Sequence, residues 1–124
     1  MQVSKLRVAG FVNAQERTFQ QSRMHAGDFT LDGGYHAMKA LLRKHPSLDA
    51  VFACSDRMAV GALHALHESG KRVPEDVSII GVDGTVLGEQ TQPRLTSIGA
   101  DLAAIGAALG RLTIRAIHGE SPKS

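Results

Sequence analysis

Two apolar strands alternate with helical segments in this chain, and this alternation constrains the fold more than any other feature. The stretches at 49–54 and 77–82 are apolar on both faces, which is typical of parallel strands covered by helices on each side. Apolar residues recur at helical spacing after the first strand, which predicts a helix there. Gly70 stands where that helix should stop. The pattern predicts an α/β fold, a three-layer, open, mainly parallel sheet with helices on both faces.

The remaining elements follow from the same spacing rules. Apolar residues at helical spacing predict helices from Ser4 to about Gln20, over about 31–45 and from about Asp101 to His118. Short strands are expected at 22–26 and 95–98. The last helix carries an apolar stripe that needs a partner, made of Leu102, Ile105, Leu109, Leu112 and Ala116.

The composition excludes several classes of protein. No apolar run approaches the roughly 20 residues of a membrane span, and the first residues lack the pattern of a secretory signal. We therefore expect a cytoplasmic protein with no membrane contact. The fourteen basic residues are scattered, aromatic residues make up 4% and Trp is absent, which argues against a nucleic-acid-binding face. The single cysteine, Cys54, cannot form an internal disulfide.

Polar side chains follow both apolar strands. Ser55 and Asp56 come after the first strand, and Asp83 comes after the second. In parallel sheets, ligands bind beyond the carboxyl ends of the strands. Ser55 or Asp56 could instead cap the following helix, and capping is the favoured role of Asp56. Asp83 has no obvious helix behind it, so a carboxylate that accepts hydrogen bonds from a sugar or polyol is at least as reasonable as a turn residue.

Two further side chains could complete such a site. Arg7 could supply a fork of donors, or could be an ordinary solvent-facing charge. Phe29 could present a stacking face to a ligand, although a place in the core is the favoured reading from its position alone.

Signatures of enzymes are missing from the sequence. It has no phosphate-binding glycine loop, no dinucleotide fingerprint and no nucleophile elbow. His64 and His67 have no nearby third metal ligand, and no base is placed to activate Cys54 as a nucleophile. A phosphoacceptor domain would need an acidic pair and a lysine that are not visible. We therefore expect a binding protein with no catalytic residues, metal or cofactor.

Four stretches carry a resemblance to a known family, namely 7–11, 27–38, 50–84 and 93–98. In this order they resemble the effector-binding domain of the lactose/purine-repressor family of bacterial transcription regulators. The resemblance implies a periplasmic-binding-protein-like fold of two α/β subdomains, with a small effector, often a sugar or nucleobase, in the cleft between them. It also implies effector contacts, which carry over to Arg7, Phe29, Ser55 and Asp83.

The sequence departs from the family pattern at one of these positions, Ser55, and at neighbouring ones. The family commonly has Asn where Ser55 stands, an aromatic residue where Val82 stands and a second Asp where Gly84 stands. Val82 and Asp56 are secondary candidates for ligand contact. These departures leave the identity of the effector open.

The resemblance also implies how the chain divides. It assigns residues 1–100 to the C-terminal effector-binding subdomain, 101–118 to a crossover helix of the N-terminal subdomain, and 119–124 to a tail. The DNA-binding head and most of the N-terminal subdomain would lie outside this sequence. The stripe of the last helix would then lack its usual partner, so we expect a homodimer or higher self-association. Family dimers also pair through the helix after Ser55 and Asp56, which makes Val60 and its neighbours interface candidates, although their helical spacing suits the core equally well.

The expected function is sensing of a small sugar, polyol or nucleobase by a transcriptional repressor that contacts DNA only through a domain absent here. The alternative is part of a sugar-binding protein of a transporter, which shares the fold. A secretory signal in the parent gene would favour the transporter, and a helix-turn-helix would favour the regulator.

Overall fold

The computed structural model describes residues 2–15 and 19–120. Helices and strands alternate along the chain. In order they are α1 (Gln2–Asn13), a 3₁₀ turn (Gln21–Arg23), α2 (Leu31–Lys44), β1 (Ala50–Phe52), α3 (Asp56–Glu68), β2 (Ser78–Asp83), α4 (Val86–Glu89), β3 (Thr96–Gly99) and α5 (Leu102–Ile117).

The three strands form one parallel sheet in the order β1-β2-β3. Val51 lies opposite Ile79, and Val82 lies opposite Ile98. Because side chains alternate along a strand, Ile79 and Gly81 face the side of the sheet that α3 covers, and both are buried. The parallel α/β fold predicted from the sequence is confirmed.

Helix α3 forms the centre of the core. Leu63 and Leu66 are 2% and 0% exposed, and the helix contacts both α2 and β2. Complete burial of such a side chain stabilises a fold by about 1.5–3 kcal/mol. The buried hydrophobic cluster consists of Met38, Ala53, Ala59, Val60, Ala62, Ala65, Leu66, Val77, Ile79 and Leu95.

Two glycines allow α2 and α3 to pack with their backbones almost in contact. A Cβ atom on Gly34 would collide with the backbone of Met58, and one on Gly61 would collide with the carbonyl oxygen of Leu31. Both glycines are buried. The two helices therefore pack tightly against each other.

The predicted stop at Gly70 is confirmed. Gly70 has φ +72°, a conformation that favours glycine because it has no Cβ. Its N–H donates to the carbonyl of His67 at 3.0 Å, and the N–H of Lys71 donates to that of Leu66 at 3.0 Å. This pair of bonds is the Schellman motif, which satisfies the last carbonyls of a helix.

The second face of the sheet is covered less completely. Phe11 of α1 stacks on Phe52 of β1 with ring centroids 4.9 Å apart, so a helix lies on this face as well. Ile98, on the same face, is still 62% exposed. The layered arrangement is confirmed, but one outer layer is much denser than the other.

Two predictions about local structure need correction, and one short helix was not predicted. No strand forms at 22–26, because a strand needs a neighbour and β1 pairs with β2 alone in the described part of the chain. Helix α1 ends at Asn13 rather than near Gln20, and residues 16–18 of that prediction lie outside the described residues. The short helix α4 had no predicted counterpart.

Candidate functional site

The candidate site lies at the carboxyl edge of the sheet. β1 ends just before Cys54 and Ser55, and β2 ends at Asp83. The N-terminus of α3 begins at the same edge. Parallel strands therefore bring these separated polar residues together, as the sequence predicts.

Arg7 and Asp83 form an ion pair at this edge. The Nη2 atom of Arg7 donates to Oδ1 of Asp83 at 3.0 Å, and Nη1 donates to the carbonyl oxygen of Cys54. The two side chains are 28% and 38% exposed. Arg7 is therefore more than a solvent-facing charge, because its guanidinium group joins the ends of β1 and β2. The Arg7 guanidinium and the Asp83 carboxylate both remain partly exposed to solvent.

Asp83 and Phe29 share an unusual backbone conformation. Among the described residues 2–15 and 19–120, they are the two non-glycine residues with positive φ, at 117° and 65°. Such conformations cost free energy in a residue with a side chain, and they cluster at functional sites. Both residues are predicted effector contacts.

Phe29 lies in the loop before α2 and is half-buried, so it is not a core residue. On either side of it, Asp28 Oδ1 accepts from the N–H of Thr30 at 3.0 Å, and Thr30 caps α2. The hydrogen bonds from Thr30 hold the pKa of Asp28 below its usual value. Gly27 lies against the side chain of Met58, which places this loop beside the first turn of α3.

Ser55, and not Asp56, caps α3. Its Oγ accepts from the N–H of Met58 at 3.3 Å, and the residue is only 4% exposed. The prediction that Asp56 is the cap is wrong, because Asp56 is already the first helical residue. Either residue type suits the cap position, so the choice between adjacent positions depends on tertiary contacts.

Asp56, a secondary candidate for ligand contact, does not face the crevice. Its side chain is completely buried. Oδ2 accepts from the N–H of Thr85 at 2.6 Å and from its Oγ1 at 2.9 Å, and Oδ1 accepts from Oγ of Ser97. These bonds turn the carboxylate towards the protein interior. Val82, the other secondary candidate, is half-buried in the middle of the sheet, opposite Ile98.

Sequence reasoning missed Thr85 and Ser97. Both are small hydroxyl residues near strand ends, which is a weak signal in a sequence with many such residues. Cys54 was considered as a nucleophile, but burial raises the pKa of its thiol, and the nearby Arg7 only partly opposes this. The Cys54 sulfur is therefore a protonated thiol at neutral pH.

Two surface hollows of about 350 and 340 Å³ lie away from the Arg7–Asp83 pair. The larger is lined by the starts of the three strands, at Ala50, Ser78 and Thr96, and is mainly apolar. It lacks the converging charged groups of the opposite edge. The pair itself lies outside both hollows and is partly exposed.

Over the described ranges, no three His, Cys, Asp or Glu side chains converge as a metal site would require. None of the helices described is both long and apolar enough to span a bilayer.

A family model, the periplasmic binding protein-like domain, matches residues 2–124. The chain belongs to this family. Its curated relatives include the transcriptional regulator CelR of Thermobifida fusca, 41% identical over 83% of this chain and 30% of the relative. The ribose operon repressor of Halalkalibacterium halodurans is 38% identical over 90% of this chain and 34% of the relative. The chain thus spans about a third of the length of these relatives.

Solved structures give the same assignment. A LacI-family transcriptional regulator from Arthrobacter sp. in complex with lactose is 36% identical, with a TM-score of 0.83, over 94% of this chain and 42% of that one. A CelR–cellobiose complex is 38% identical, with a TM-score of 0.77, over 97% of this chain and 35% of that one. The predicted resemblance to the lactose/purine-repressor family is confirmed.

Proposed function

We propose that this chain is the effector-sensing part of a bacterial transcriptional repressor that acts in the cytoplasm. The observation that carries the proposal is the Arg7–Asp83 pair, which stands at the ligand-binding edge of a parallel sheet and stays accessible to solvent. Residues 1–100 form the effector-binding subdomain, 101–118 a crossover helix towards the other subdomain, and 119–124 a tail.

The chemistry of the pair suits a ligand with neighbouring hydroxyl groups. Asp83 can only accept hydrogen bonds and Arg7 can only donate them, whereas a hydroxyl can do both. A sugar or polyol can therefore insert between the two side chains and bond to each. The Arg7–Asp83 bond is partly exposed, and such pairs contribute only about 0–1 kcal/mol, so the ligand loses little by replacing it.

Phe29 and Ser55 complete the proposed contacts. Phe29 supplies an aromatic face at the same end of α3, suited to the apolar face of a sugar ring. Ser55 contributes mainly by fixing the start of α3, because the residue is only 4% exposed and its Oγ accepts from the N–H of Met58. The names of relatives support saccharides, with cellobiose, lactose and ribose among them, and another relative is the transcriptional repressor PurR.

The proposed activity is binding, without catalysis or a cofactor. Its relatives are regulators rather than enzymes, and the protonated Cys54 thiol is a poor nucleophile. In the whole protein, effector would favour one arrangement of the two subdomains and so bias a DNA-binding domain outside this chain. This requires that effector binds the two arrangements with different affinities.

Calorimetric titration of the full-length parent protein tests the proposal. The titrants are cellobiose, lactose, ribose and a purine nucleobase, and we expect saturable binding of at least one. Arg7→Ala and Asp83→Ala should each weaken that binding tenfold or more. The matched control is Arg72→Ala, which breaks an ion pair with Asp76 just before the opposite end of β2. Unchanged affinity in both site variants would refute the site assignment.

We also propose that the chain self-associates through α5. None of its residues is buried, although Leu102, Ile105, Leu109 and Leu112 form a continuous apolar stripe. Analytical ultracentrifugation of this chain should detect dimers or larger species, and Leu109→Glu should shift the distribution towards monomer. A monomeric chain with α5 ordered in solvent would contradict the proposal.

A further inference from the structure

We propose that the buried Asp56 is a positioning residue for Asp83, acting through the backbone that follows Asp83. This inference rests on the proposed function, because it concerns the same binding edge. Asp56 itself is fully buried. Its effect on binding is therefore indirect.

Every hydrogen bond that the Asp56 carboxylate accepts leads to the segment after Asp83. Thr85 donates to Oδ2 twice, from its N–H at 2.6 Å and its Oγ1 at 2.9 Å. Ser97 donates to Oδ1, and the Oγ of Ser97 in turn accepts from the N–H of Gly84 at 3.0 Å. Gly84 and Thr85, the two residues after Asp83, are thus both fixed from one carboxylate.

This segment needs such support because its backbone is strained. Asp83 has φ 117°, a conformation that residues with a side chain rarely adopt, and Gly84 follows with φ 66°. Strained residues persist only where their surroundings impose the conformation. The bonds from Asp56 and Ser97 lie directly beside the strained residue, so they determine where the Asp83 carboxylate stands relative to Arg7.

A carboxylate is suited to this task at this place. It lies in the first turn of α3, where the helix dipole favours negative charge. It also accepts bonds on both oxygens at once, and charge-assisted bonds are roughly twice as strong as neutral ones. Because its donors within the described residues are Thr85 and Ser97, a displacement of either leaves a buried carboxylate with fewer partners. The network therefore joins α3, β3 and the end of β2 at a single point.

The test is a double-mutant cycle in the full-length protein, with affinity measured for whichever of cellobiose, lactose or ribose the natural protein binds. Asp56→Asn keeps the side-chain volume but leaves one acceptor oxygen. We expect it to weaken binding about tenfold, because it removes a charge-assisted hydrogen bond that helps to position the Asp83 carboxylate. In an Asp83→Ala background the same change should alter affinity less than about twofold, because coupled residues are not additive.

The matched control is Ile79→Val, which removes one buried methylene group from the same strand. It lowers stability without altering the Asp56 network, so affinity should stay unchanged. An equal loss of affinity from Asp56→Asn in both backgrounds, or from Ile79→Val, would overturn the positioning role.

A second measurement does not depend on any ligand. Amide hydrogen exchange of Gly84 and Thr85 should accelerate at least about tenfold in Asp56→Asn and stay unchanged in Ile79→Val. Unchanged exchange in a folded Asp56→Asn protein would refute the inference. If no saccharide binds the natural protein, the proposed function fails while the exchange experiment still decides the role of Asp56. If Asp56→Asn does not fold, Thr85→Val and Ser97→Ala, which each remove donors, carry the same measurements.

Discussion

Helices α3 and α5 have similar apolar stripes, but only the stripe of α3 is buried. α3 has eight buried residues among its 13, whereas α5 has none among its 16. α3 lies between the sheet and α2, with Gly61 against the α2 backbone. On α5, a Cβ atom added to Gly106 or Gly110 would have nothing within 4 Å. An apolar stripe thus specifies that a face must be buried, but the partner that buries it is separate information.

The first test of this comparison has the largest expected effect. Leu66→Ala in α3 should lower the free energy of unfolding by about 2–5 kcal/mol, because it leaves a cavity at a fully buried site. Leu109→Ala in α5, where the side chain is 60% exposed, should change it by less than about 0.5 kcal/mol. Urea denaturation at a dilution where the protein is monomeric measures both. Equal losses would mean that α5 is packed in solution.

The glycines of the two helices differ in the space around them, which gives a second test of the difference in packing. Gly61→Ala should destabilise the fold by about 1–3 kcal/mol, because its new methyl group meets the carbonyl of Leu31. Gly106→Ala should instead stabilise by up to about 1 kcal/mol, because alanine favours a helix and space is open. Thermal denaturation should therefore give shifts of opposite sign, and two shifts of the same sign would contradict the difference in packing.

A weaker effect concerns the turn that joins α3 to β2. Hydrogen bonds from the Arg72 side chain and backbone N–H hold the pKa of Asp76 far below its usual range. A folded pKa below the unfolded value, about 3.9, means stability that is present above that pH and lost as pH falls through the folded value. The difference in unfolding free energy between the natural protein and Asp76→Asn should therefore shrink steadily as pH falls below about 4.

Urea titrations at a series of pH values measure this change. The control is Arg72→Ala, alone and combined with Asp76→Asn. Because Arg72 lowers the pKa of Asp76, Asp76→Asn should have a weaker pH dependence when Arg72 is already replaced. A difference that grows on acidification would mean that the ion pair does not favour the charged form of Asp76.

Local patterns were sufficient for the elements that pack within this chain. Apolar strands predicted β1 and β2, and helical spacing with Gly70 predicted α3 and its end. The segment at 22–26 was predicted wrongly because strand formation depends on a neighbouring strand, which composition does not reveal.

The site could be predicted in part. Asp83 was identified from its place after a buried strand, but its ion pair with Arg7 joins residues 76 positions apart, and no local spacing encodes that contact. The resemblance to the family named both residues. Asp56 and Ser55 could not be told apart as caps, because both side chains suit a helix start and only the contacts of Thr85 and Ser97 with Asp56 decide the matter.

The exposed stripe of α5 has a thermal consequence. Burial of apolar surface is accompanied by a negative change in heat capacity and is driven mainly by entropy near room temperature. Any assembly built on Leu102, Ile105 and Leu109 should therefore loosen on cooling. A preparation kept near the freezing point would contain more single chains than the same preparation at 25 °C.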